Sequence, residues 1–280
     1  MRSVRRMVRG REIREGAGVK LRRLFADALA EEFDPFLLFD AFDSTDPEEY
    51  LPGFPWHPHR GIETVTYLLS GVVEHGDSLG NRGTIASGCC QWMTAGRGIV
   101  HQEMPQAHEH LHGIQLWVNL PADKKMTEPV YRDLQPEDMP LANTAAASVR
   151  VLAGSFADTH GPVEGIAVAP TFLDVNVEPY GSFVFDPEDR MTVFAYVFSG
   201  NGCFAADQDR GEKGDIVLWD QQQGEIAIEA GASGLRFLLC AGRPLREPIV
   251  WGGPIVMNTR KQIEEAFAQL DEGTFLEQRP

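Results

Sequence analysis

His57-Pro58-His59-Arg60-Gly61-Ile62-Glu63-Thr64-Val65-Thr66-Tyr67-Leu68-Leu69 sets two imidazoles at i and i+2 and then runs into a β-branched segment. A β-strand turns alternate side chains to one face, so His57 and His59 share a face if this stretch is extended. About forty residues later His101-Gln102-Glu103 repeats the spacing with one imidazole and one carboxylate. Three imidazoles and a carboxylate carried by two strands suit a single transition-metal ion inside a β-barrel. A lone histidine is more often a hydrogen-bonded core or surface residue. The metal reading rests on the repeated pair.

The rest of the chain supports strands as the framework. Glu63-Thr-Val-Thr-Tyr-Leu-Leu, Leu111-His-Gly-Ile-Gln-Leu-Trp-Val-Asn-Leu, Val193-Phe-Ala-Tyr-Val-Phe and Leu235-Arg-Phe-Leu-Leu-Cys are short apolar or alternating runs bounded by turn residues. Gly76-Asp-Ser-Leu-Gly-Asn-Arg-Gly is turn chemistry between two such runs. Many short strands in succession favour a sandwich or barrel over a βαβ sheet, so the fold class expected is all-β. One helix stands out, Lys261-Gln-Ile-Glu-Glu-Ala-Phe-Ala-Gln-Leu, with Ile263, Ala266, Phe267 and Leu270 on one face. Asn258 or Thr259 can cap its start, and Gly273 lies just beyond its end.

Tyr67-Leu-Leu-Ser-Gly is echoed by Tyr196-Val-Phe-Ser-Gly, which suggests two related barrels. The proline-punctuated stretch from Pro121 to Pro140 reads as their connection, giving a first domain over 1–135 and a second over 136–280. After His112 the only histidine is His160, so the expected metal site is confined to the first domain.

Composition narrows the function. A net charge of −16 argues against direct nucleic-acid binding, which needs a basic surface. Residues 1–23 do carry nine Lys or Arg, but the alternation in Ser3-Val-Arg-Arg-Met-Val-Arg9 reads as a solvated edge strand. No apolar run approaches the ~20 residues of a membrane span, and no apolar segment follows Arg5-Arg6 as an export signal requires. Four cysteines without a C-x-x-C read as reduced thiols, and a cytoplasmic location is expected.

Spacing alone leaves the carboxylate open. Glu63 shares parity with His57 and His59, so an unbroken strand would bring it to the same interior and make five donors for four places. His108-Glu-His-Leu-His112 is a rival cluster, but its polar surroundings read as a loop entering the next strand. His75 reads as a structural turn residue. Gly96-Arg-Gly98 reads as a tight turn delivering His101 rather than a phosphate loop.

Several motifs resemble the pirin family of the cupin superfamily: Phe36-Leu-Leu-Phe-Asp, His57-Pro-His-Arg-Gly-Ile-Glu, His75-Gly-Asp-Ser-Leu-Gly-Asn, Gln91-Trp-Met-Thr-Ala-Gly-Arg-Gly-Ile-Val-His-Gln-Glu-Met-Pro and Leu111-His-Gly-Ile-Gln-Leu-Trp-Val-Asn-Leu-Pro. Met257-Asn-Thr-Arg is similar to the closing segment of that family. The resemblance implies two cupin (jelly-roll-like) barrels with one metal, in the first. It implies His57, His59, His101 and Glu103 as ligands and Fe(II) as the metal, with Mn, Cu, Ni, Co and Zn as alternatives.

Glu63 then becomes an outer partner of a ligand or an alternative base to Glu103. The activity implied is that of quercetin 2,3-dioxygenase, an oxidoreductase opening a flavonol or similar enediol-like aromatic with O2. Phe54, Trp56, Trp92 and Met93 are the candidate walls for such a flat substrate. The competing expectation is a non-enzymatic iron-binding sensor that regulates a protein partner.

Overall fold

The computed structural model describes residues 1–205 and 210–277. Strands dominate, and they fall into two compact units. The chain divides less simply than a cut at 135/136. Met1–Gly10 and Phe33–Pro35 belong with Glu137–Pro244, while the segment from Leu245 onward belongs with Arg11–Glu32 and Phe36–Pro136. The cause is hydrogen bonding. Val4–Val8 pairs antiparallel with Ile216–Trp219 as an edge strand, and the Val256 amide donates to the Arg60 carbonyl.

The metal-candidate unit is built from two large antiparallel sheets and a closing two-stranded hairpin, Val250–Gly252 with Ile255–Met257. The larger has seven strands in the order Val130–Leu134, Cys90–Thr94, Ile62–Ser70, Leu111–Asn119, Phe36–Ser44, Val19–Phe25 and Arg11–Glu15. The smaller has four, in the order Phe54–His59, Ile99–Pro105, Val73–Asp77 and Arg82–Ile85. Side chains meet between them, as where Thr66 and Gln115 of the larger sheet bond Glu103 of the smaller. Val130–Leu134 lies inside the stretch expected to be a linker, yet it pairs residue by residue with Cys90–Thr94. It escapes the sequence pattern because it is an edge strand buried mainly at Leu134.

The helix spans Arg260–Asp271. Thr259 Oγ1 accepts from the Gln262 amide, and the Gln262 side chain returns a bond to the Thr259 amide. Ile263 and Ala266 pack against Ile255, Met257 and Phe275. Phe267, expected on the buried stripe, is 44% exposed at its rim.

In the other unit Thr192–Cys203 and Ile226–Gly242 form the spine of a nine-stranded antiparallel sheet. Pairing breaks register at Val197/Ser199 and Gly200/Gly202, and such bulges increase the twist a sheet needs to curl round a core. That core includes Val151, Leu173, Val193, Val217, Trp219, Phe237 and Leu239. Together the units make an all-β architecture of two domains with one substantial helix near the C-terminus. All four cysteines are free. No described helix is long and apolar enough to cross a membrane.

Candidate metal centre

Phe54–His59 carries the first pair. The Nδ1–H of His57 donates to the Pro55 carbonyl at 2.8 Å, and that of His59 to the Pro254 carbonyl at 2.9 Å. A carbonyl can only accept, so in the neutral form of each ring Nε2 is the bare nitrogen. The two Nε2 atoms lie 3.1 Å apart. Two lone pairs facing at that distance call for a cation between them.

His101 comes from Ile99–Pro105, which the Gly96 and Gly98 turn feeds with positive φ at both glycines. It sits directly opposite His57 in the ladder, with ring centroids 4.3 Å apart, and 4.9 Å from the His59 ring. It is fully buried, and neither ring nitrogen has a hydrogen-bond partner among the described residues. Buried polar atoms are rarely left this way. The ligating atoms of the three rings all lie within 4.8 Å of one another.

Burial, and then the neighbouring His57, pushes the His59 pKa down to about 3. Burial and the other imidazoles hold His101 well below the usual histidine range as well. Both are therefore neutral at pH 7, which is the form that binds a metal.

Glu103 lies two residues beyond His101 on the same strand and is buried. Its Oε1 accepts from Thr66 Oγ1 at 2.9 Å and its Oε2 from Gln115 Nε2 at 2.7 Å. Two donors fix the carboxylate beside the imidazole group without closing it into that group.

Glu63 is elsewhere. The strand of His59 does not continue into it: Arg60 and Gly61 turn the chain, and Glu63 belongs to Ile62–Ser70 in the other sheet. Gly61 has φ +78°, and a Cβ there would collide with the Val256 carbonyl oxygen. Thr66 is paired with Gln115 and Thr64 with Trp117, so these four share the face toward the histidines. Glu63, of opposite parity to Thr64 and Thr66, points away from that face and accepts from Thr94 Oγ1 at 2.7 Å. Burial raises its pKa. Parity holds only along one continuous strand, so the turn removes the spacing argument that set Glu63 beside the imidazoles.

A pocket of ≈ 540 Å³ opens onto His57 and His59. Phe54 and Trp56 line it as expected, with Trp56 56% exposed at the surface. Trp92 and Met93 do not line it; both are fully buried in the larger sheet. Instead Trp117 and Trp251 provide aromatic wall, with their rings 6.2 Å apart and tilted 26°. The Trp117 ring meets His59 edge-on at 5.0 Å. At the polar end Arg23 bonds both Asp40 oxygens, at 2.9 and 2.8 Å, and also Glu15. Sequence reading missed Trp117 although its alternation within Leu111–Asn119 was visible. Nothing local marks Trp251 or Pro254, which reach the site from far along the chain.

His75 is also closer than expected. It is a buried strand residue rather than a turn residue, with its ring 5.4 Å from His101 and 4.8 Å from Tyr131. The signal was the alternation Val73-x-His75-x-Asp77. Of the rival cluster, residues 106–110 do form a loop, while His112 lies in Leu111–Asn119.

Comparison with known proteins accords with this architecture. The family model described as Pirin matches residues 18–118, and that described as Pirin C-terminal cupin domain matches residues 172–276. A Pseudomonas aeruginosa protein named "Putative quercetin 2,3-dioxygenase PA3240" is 41% identical over 278 residues, 97% of each chain. Human pirin is 38% identical over 264 residues, covering 93% of this chain and 89% of its own. The crystal structure of quercetin 2,3-dioxygenase from Acinetobacter baumannii superposes with a TM-score of 0.89 at 32% identity over 99% of both chains. With both cupin domains matched and full-length relatives near 40% identity, the chain belongs to the pirin family.

Proposed function

We propose that His57, His59, His101 and Glu103 hold one divalent transition metal, iron by preference, and that the protein is a quercetin 2,3-dioxygenase-type oxidoreductase acting on a flavonol or related enediol-like aromatic. The observation that carries this is the convergence of three imidazoles, His59 and His101 buried and neutral, beside an aromatic pocket onto which His57 and His59 open. Three neutral rings and one carboxylate leave a divalent ion with a single net positive charge. This resembles the open histidine–carboxylate sites of non-haem iron oxygenases and not closed, thiolate-rich structural zinc. When bound, the metal supplies Lewis acidity toward a substrate oxyanion and a place for dioxygen.

The protein's own part is orientation, dryness and proton handling. Pro55 and Pro254 carbonyls fix the ring tautomers. Trp56, Phe54, Trp117 and Trp251 offer flat surfaces for an aromatic ligand, and 540 Å³ lies within the usual range of small-molecule pockets. Glu103 is the group that accepts the substrate hydroxyl proton. Thr66 and Gln115 hold its carboxylate ready for that transfer.

The test is to identify the metal in purified protein, then incubate with quercetin in air while following flavonol absorbance and carbon monoxide release. Turnover should require metal, disappear in His101→Ala and fall in Glu103→Gln. Full metal loading with no turnover across a flavonol panel would overturn the dioxygenase reading and leave metal-dependent regulation of a protein partner in its place.

A further inference from the structure

Asp43, His110 and His112 form a second group whose ligating atoms all lie within 4.8 Å of one another. We propose that it is a separate binding site for a borderline divalent metal of the zinc, nickel or copper type. Asp43 and His112 are directly opposite in the ladder between Phe36–Ser44 and Leu111–Asn119, so their side chains leave the same face. His110 lies two residues before His112 and stacks on it, with ring centroids 5.1 Å apart and 22° between planes. Its Nε2 lies 2.7 Å from Asp43 Oδ1. A bound cation replaces the proton shared in that contact.

Two ligands of one tetrahedral metal stand about 3.4 Å apart, given bond lengths of about 2.1 Å. Closing from at most 4.8 Å therefore needs side-chain adjustments on the order of an ångström. His110 and Asp43 are about one-third exposed and have room to make them. The backbone, by contrast, is already set. Ser70 Oγ donates to the His110 carbonyl at 2.8 Å, and Tyr50 Oη donates to the His108 carbonyl at 2.7 Å while accepting from the His108 amide. The loop that presents His110 is thus pinned on both sides, which lowers the ordering cost of binding.

This site is independent of the first. His112 and Gln115 are of opposite parity on one strand, so the group lies on the sheet face turned away from the pocket. Two imidazoles and one carboxylate are nitrogen-rich and exclude calcium and magnesium, which prefer all-oxygen shells. Positions left open at the surface would be filled by water.

The discriminating experiment is Zn2+ uptake in competition with a chromophoric chelator, comparing wild type, His110→Ala, Asp43→Asn and His101→Ala. Wild type and His101→Ala should share one binding equivalent that is weakened at least tenfold in both His110→Ala and Asp43→Asn. His110 is in a surface loop, so that variant keeps the fold. Identical uptake by wild type and His110→Ala would overturn the proposal, whatever occupies the barrel histidines.

Discussion

Metal-free protein should lose stability between pH 7 and pH 5 through His59. In the fold, burial and then His57 hold this ring at a pKa of about 3, whereas the unfolded chain restores it to about 6.5. Between those values the unfolded state binds a proton that the native state does not. Stability therefore rises with pH across this window: the contribution is complete above 6.5 and is lost as pH falls toward 3. Integrating the linkage relation from pH 7 to pH 5 gives a loss of about 2 kcal/mol for this single ring.

Other buried groups move on the same axis. His101, lowered chiefly by burial, adds a loss of the same sign. Asp40 and Glu63 oppose it, because burial raises their pKa values and they take up protons in the native state as pH falls. The measurement is accordingly a difference: urea unfolding of metal-free wild type and His59→Asn at pH 7 and pH 5. Asparagine keeps an N–H for the Pro254 carbonyl but has no titrating ring. Wild type should lose about 2 kcal/mol more than the variant. Equal losses in the two proteins would refute the claim that His59 is stored as a buried neutral imidazole.

Gln115→Leu removes the 2.7 Å donor to Glu103 and, among the described residues, leaves Thr66 to hold that carboxylate. Metal affinity measured by chelator competition should fall by about 10- to 100-fold, the usual effect of losing a partner behind a ligand, and an unchanged affinity counts against Glu103 as a ligand. Lys125 is fully buried, and its ammonium donates to the Gly61 and Val256 carbonyls and to Asn119 Oδ1 at 2.9, 2.8 and 2.6 Å. Lys125→Met strands three acceptors at the junction between the barrel and the hairpin of Val250–Gly252 with Ile255–Met257. Its denaturation midpoint should drop by an amount equivalent to about 2–4 kcal/mol; no drop would mean that the three contacts contribute nothing net.

Much of the candidate site was readable from local spacing. His57 and His59 needed only the two-residue period of a strand, and Gly96 and Gly98 announced the turn into His101. Glu63 shows where that reasoning ends. Parity is a property of one continuous strand, and the turn at Arg60-Gly61 passes the chain to a different sheet, reversing the face on which Glu63 emerges. The same limit hid Val130–Leu134, whose partner strand and not its own alternation makes it a strand.

By itself, then, the amino-acid sequence determined an all-β chain of two barrels, the strand pairs bearing the ligand-type side chains, and the family. The strands and their turns follow from short-range rules, alternation, turn residues and caps; the family follows from the resemblance of the motifs. Spacing left the carboxylate open and the family resemblance implied Glu103; tertiary structure alone put Glu63 in the other sheet and brought Trp251 and Pro254 from the closing segment to the pocket. It also set Asp43 against His110 and His112 on the outer face. Each of these depends on register between strands far apart in the chain, which no local pattern encodes.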